Sequence, residues 1–280
     1  MNMYNWMERV IYGPKKPFPL LSYPCVQYLY VTVKELVCSS AHQAIGMKMI
    51  ADHYDMLAST AYMDLSVEAE AFGAFTVYGV DEIPTIIGKL IGNEEEADAL
   101  EIPPVGAGRT GTNIDAIRKS LMLINDRPVF AGCIGPFSLA GRLLNVNDIM
   151  IDCYEEPEMV HKVLEKATTF IINYLQELKK AGAHGAIMAE PLAGILSPDL
   201  MSEFSSSYVR RIVETIQDKH FLLIYHNCGS AINHQVTQLM ETGCKAFHFG
   251  ESADMTMMLE KLPKDYLILG NISPSNGFNN

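Results

Sequence analysis

Short, almost continuously apolar runs alternate along this chain with longer stretches of helical period. The runs at 18–23, 58–64, 128–134, 185–190, 221–226, 245–249 and 266–270 have strand length. A strand that is apolar on both faces is covered on both faces, as in a parallel sheet lined by helices. Between the runs, 157–180 places Val160, Val163, Leu164, Ala167, Phe170, Ile171, Tyr174, Leu175 and Leu178 on one helical face. Pro157 suits its first turn, and Gly182 follows its end. A second helix, about 198–217, has Ser197 as its cap, Pro198 at its first position, and Met201, Phe204, Tyr208, Ile212 and Ile216 inward. Further helices are predicted near 111–124, 137–143 and 147–153. Strands alternating with helices imply β-α units and a parallel sheet. Seven strands are found, where a closed barrel of such units has eight.

The stretch 66–110 fits the alternation less well. It predicts a helix (VEAEAF), a hairpin-like excursion (AFTVYGVDEIPT) and a turn-rich loop (IPPVGAGRTG). These decorate the barrel rather than form a separate domain. With 280 residues and 49% hydrophobic content, the chain can bury one large core. Its net charge of -12 repels phosphate backbones and anionic lipid, so nucleic acid and membrane are poor partners. No apolar run reaches membrane-spanning length, and the charged start MNMYNWMERV is no secretory signal. A cytoplasmic location is expected. The six cysteines are then free thiols or metal ligands.

Polar residues collect at the carboxyl ends of the predicted strands: Asp64, Glu190, His226 and Asn271, with His248 inside its strand. In a barrel these ends share one mouth, where catalytic residues sit. Loops that cap helices also need Asp, Asn and Ser, so each alone means little. The sharpest local signal is YHNCG, 225–229. His226 and Cys228, two apart, point to one side of an extended segment, and both side chains suit zinc. Gly229 would let the chain turn away at once. Glu190 is the natural further ligand or base. Cys244 lies before its strand, at the wrong end, and Cys133 reads as packing. GAGRTG lacks the Lys of a phosphate loop, so it reads as a lid with Arg109 reaching inward. Arg142 is another candidate grip for an anionic substrate, although either arginine could equally be solvated. Glu68 and Glu70 face differently on a helix, so at most one joins the site.

MDLSVEAEAFGA (63–74), PVFAGCIGPFSLAGRL (128–143), MAEPLAGILSP (188–198), YHNCGS (225–230), FHFG (247–250) and GNISP (270–274) together resemble the uroporphyrinogen decarboxylase-like superfamily. The resemblance runs in order along nearly the whole chain and is greatest to the cobalamin-dependent branch, the methylcobamide:coenzyme M methyltransferase type. It implies an α/β fold, a (β/α)8 TIM barrel, as one domain over 1–280 lacking its last strand and helix. The decarboxylase branch carries an arginine-rich loop, R-Q-A-G-R-Y. The corresponding stretch here, LLSYPCVQYLYVT at about 20–32, holds neither Arg nor Lys. A pocket for a polyanion would be poor without them. Asp64 matches the Asp of the decarboxylase F-S-D motif.

The methyltransferase branch is marked by H-x-C and a distant second Cys. His226 and Cys228 match the first part, and the second Cys would fall beyond residue 280. The resemblance implies zinc on His226 and Cys228, methylcobalamin carried by a corrinoid protein, and a small-molecule methyl donor or acceptor. Asp64 and Glu190 would be catalytic, and Arg142, His248 and Asn271 would bind substrate. A uroporphyrinogen decarboxylase-type activity is the alternative, and a homodimer stays open.

Overall fold

The computed structural model describes residues 1–20 and 23–273. Its described residues form eight strands. Six make one all-parallel sheet in the order β1 (Ser59–Thr60), β4 (Val129–Ile134), β5 (Gly185–Ala189), β6 (Leu222–Asn227), β7 (Ala246–Phe249), β8 (Leu267–Leu269). β2 (Thr76–Val77) and β3 (Thr85–Ile86) form a separate antiparallel hairpin. Helices between the sheet strands cover the outer face, so the sheet curls as a half-barrel that these residues do not close.

Six of the seven expected strands are present. The run at 18–23 is not one of them. Phe18 to Leu20 has no regular structure, Tyr23 lies in a turn, and residues 21–22 fall outside the described residues. Pro17, Pro19 and Pro24 explain this, because proline has no N–H for a central ladder. The segment instead sends Phe18 into the bore beside Phe130, edge-on with ring centroids 6.0 Å apart. The run at 58–64 pairs only over Ser59 and Thr60.

Two apolar layers hold the sheet. Inside the bore, Phe130, Ile187, Leu222, Ile224, Ala246, Leu267 and Leu269 pack against Met3, Trp6 and Met7. Those three come from the amino-terminal helix Met3–Tyr12, which the strand-helix alternation does not announce. Outside, the helix Pro157–Lys180 buries all nine residues expected to face inward. Phe170 and Tyr174 are fully buried there, and truncating such a Phe to Ala typically costs ~3–5 kcal/mol. The segment after Ser197 is helical as expected, with Ser197 accepting from the Leu200 amide at 3.3 Å. It contains a π-helical turn over Ser202–Ser206, which the sequence period did not reveal. No helix among the described residues is long and apolar enough to cross a membrane.

Candidate active site

The register sets the geometry of the mouth. Ala189, His226 and His248 lie abreast on β5, β6 and β7, with Leu269 next on β8. In a parallel ladder, residues abreast share a face, so both imidazoles enter the bore above Ile224 and Ala246. Their rings lie 4.9 Å apart at 63°. His226 Nδ1 sits 3.0 Å from the His248 backbone oxygen and 2.9 Å from His248 Nδ1. Burial lowers both pKa values. His226 is partly compensated by its bond to the His248 backbone, and His248 falls to about 4, with the neighbouring His226 as a further cause. Both rings are thus neutral at neutral pH.

Cys228 follows two residues after His226 and is exposed. Desolvation still raises its thiol above the ordinary value. Gly229 does not turn the chain through a left-handed φ, contrary to expectation. It is glycine because a Cβ there would stand 2.4 Å from the Gly194 backbone. Gly250 has the same need, since its Cβ would meet the Cys228 Cβ at 2.4 Å.

Glu190 corrects the expectation placed on it. It alternates with Ala189 and so faces away from the imidazoles, toward the outer helix Pro136–Leu144. One oxygen accepts from the Phe137 amide at 3.0 Å and the other from the Ser138 amide at 2.6 Å. Those amides are unpaired at a helix start, so the carboxylate acts as a cap. Burial outweighs these bonds and raises its pKa to about 7. It is therefore neither a ligand beside His226 nor a base in the bore. Asn271 is likewise committed elsewhere. Its amide donates to the backbone oxygens of Gly250 at 3.1 Å and Ala253 at 2.7 Å, pinning the loop after β7. His248, expected to bind substrate, gives its Nδ1 to His226.

The other side of the mouth is an ion-pair network. Asp64 is buried and bonds Arg109 through one oxygen, while its other oxygen accepts from the Ser66 amide and hydroxyl at 3.0 and 2.6 Å. Arg109 also donates to Glu70 at 2.5 Å and Ser66 Oγ at 2.7 Å, and lies over the Tyr78 ring at 5.0 Å. The lid loop is thus riveted to the hairpin and to Asp64. Of the two glutamates, only Glu70 joins; Glu68 turns to the Ile134 amide at 3.1 Å. Arg142 is half-buried, with its pKa lowered by desolvation against the opposing charge of Asp64, and no ion pair to it exists among the described residues. The Tyr23 hydroxyl, buried near Asp64 and Arg109, has no hydrogen-bond partner among those residues. Both are uncommitted donors of this wall among the described residues.

The model of the family described as "Uroporphyrinogen decarboxylase (URO-D)" matches residues 31–277. The chain belongs to the uroporphyrinogen decarboxylase family. Uroporphyrinogen decarboxylase of Chlorobaculum parvum is 26% identical over 86% of this chain and 68% of its own length. Uroporphyrinogen decarboxylase 2, chloroplastic, of Arabidopsis thaliana is 27% identical over 57% of this chain. The chain spans only 42% of that relative's length. Among solved structures, a methyltransferase from Methanosarcina mazei superposes with a TM-score of 0.85 at 19% identity, covering 97% of this chain and 82% of that one. The likeness confirms the fold expected from the family resemblance.

Within the uroporphyrinogen decarboxylase family fold, sequence reasoning missed Ser66, Tyr78 and Tyr23. An aromatic hairpin beside an Arg-bearing lid was the available signal for Tyr78. Nothing local marked Tyr23.

Proposed function

We propose that this chain carries the site of a zinc-dependent methyltransferase, which moves a methyl group between a corrinoid protein and a thiol or other small acceptor. One observation supports this above all. At the carboxyl end of β6, an imidazole tethered through Nδ1 to a backbone carbonyl stands two residues from an exposed thiol. Metal-binding histidines characteristically donate their second ring N–H to such a partner. One imidazole nitrogen and one thiolate sulfur suit zinc. Among the described residues no group of three His, Cys, Asp or Glu side chains could hold a metal ion, so His226 and Cys228 would supply only part of a ligand set.

Bound there, zinc would supply the Lewis acidity that makes an acceptor thiol a thiolate nucleophile. The chain's own residues do the rest. His226 and Cys228 would hold the ion, and methylcobalamin would be supplied by a partner protein. Arg142 and Tyr23 offer donors to the polar end of a small substrate. Arg109 and Asp64 keep the lid fastened.

Decarboxylation is the second reading, and the names of the curated relatives favour it. It would use Asp64 as a free acceptor, yet both Asp64 oxygens are engaged by Arg109 and Ser66. The stretch 20–32 also lacks cations for a porphyrinogen's carboxylates. Metal analysis separates the two. The purified full-length protein should hold about one zinc per chain, lost in His226→Ala and Cys228→Ala, and methylcobalamin with a thiol should change its visible spectrum. Metal-free protein that decarboxylates a porphyrinogen would reverse the assignment.

A further inference from the structure

The two imidazoles in the bore are joined in a way that fixes where their protons sit. His226 Nδ1 faces two atoms at once: the His248 backbone oxygen at 3.0 Å and His248 Nδ1 at 2.9 Å. A carbonyl oxygen only accepts, so His226 must carry a proton on Nδ1. Were that nitrogen bare, its lone pair would abut the carbonyl. His248 Nδ1 must then be bare to share the same proton. His248 then keeps its own proton on Nε2, and its imidazole also interacts with the Phe18 backbone. That leaves His226 Nε2 without a proton.

We propose that His248 is a positioning residue: its backbone oxygen and Nδ1 together lock His226 in the Nδ1–H tautomer, so that a bare Nε2 is left free, two residues before Cys228, to bind a cation. His248 touches neither metal nor substrate in this role. The chain of bonds runs from the proline-broken segment at Phe18, through β7, to β6. It gives that segment, which fails as a strand, a part in orienting the site. The lock is a property of the metal-free protein; only its use in holding a cation rests on the zinc reading.

Two measurements test it. Long-range 1H–15N correlation spectra of the metal-free chain at neutral pH report each ring's tautomer, with signals assigned from His226→Ala and His248→Ala. Protonation of His226 at Nδ1 and His248 at Nε2 is expected. Protonation of His226 at Nε2 overturns the proposal, whatever the metal result. Zinc affinity is then titrated against a chromophoric chelator in the wild type, His248→Gln and His248→Phe. Loss of an orienting partner typically costs 10–100-fold in metal affinity; Phe removes the imidazole acceptor and keeps the backbone oxygen, so a loss toward the lower end of that range is expected. Gln should lose less, because its amide oxygen can accept from His226 Nδ1. Equal affinity in all three also overturns the proposal. A wild type with no zinc affinity would strike the zinc reading instead, and the spectra would still decide the tautomer.

Discussion

Replacing Arg109 with Met would remove the cation shared by Asp64 and Glu70 while keeping apolar bulk over Tyr78. The Asp64 and Arg109 side chains are 3% and 7% exposed, and Glu70 is 21% exposed. Breaking a buried pair from one side leaves an uncompensated charge and costs roughly 3–5 kcal/mol. Most of this falls on Asp64, because Glu70 has water nearby. At about 2–4 °C for each kcal/mol, the melting temperature should fall by about 6–20 °C, measured by calorimetry. Adding Asp64→Asn to Arg109→Met should recover part of the loss, since the stranded charge is gone. Contacting residues of this kind show coupling of about 0.5–3 kcal/mol. The reasoning fails if Arg109→Met melts within a degree or two of wild type. It fails equally if Asp64→Asn costs as much in the variant as in the wild type.

Glu68 gives a pH signature. It is fully buried, has one oxygen without a partner among the described residues, and has its pKa raised by burial from 4.5 to about 7. The fold therefore holds a proton that the unfolded chain releases, and this group's contribution declines as pH rises from 4.5 through 7. The difference of about 2.5 at ~1.4 kcal/mol each bounds the effect at about 3–4 kcal/mol. Glu68→Gln should stabilise the chain above pH 7 and leave it unchanged near pH 4, as read from urea midpoints. An equal effect at both pH values would refute the burial argument. Asn271→Ala should free the loop 250–253 and cost about 1 kcal/mol, because part-buried acceptors lose their donor. Faster proteolysis within that loop, mapped by mass spectrometry, is the expected sign. Unchanged cleavage would show that the amide does not pin it.

The regular parts of the fold were legible because their signals are local. Nine apolar residues at helical spacing defined 157–180, and Ser197 with Pro198 marked the next helix start. The two-residue spacing of His226 and Cys228 could be read for the same reason, since a period of two needs no knowledge of neighbours; their role as ligands belongs to the proposed function. Glu190 was not. Whether a residue at a strand end faces the bore or the helices depends on register, and Ala189, not Glu190, lies abreast of His226. The run 18–23 misled because hydrophobicity outweighed its prolines. Arg109 could be suspected but not placed, because its partners lie 39 and 45 residues earlier.

The helix that stoppers the bore is made long before β8, against which it rests. Met3, Trp6 and Met7 cannot reach their resting place until some 260 further residues exist. During synthesis that greasy face must wait, shielded or tucked against whatever is nearby. Shortening the wait, by circularly permuting the chain so that residues 3–12 follow β8, should speed refolding and reduce aggregation without altering the finished core.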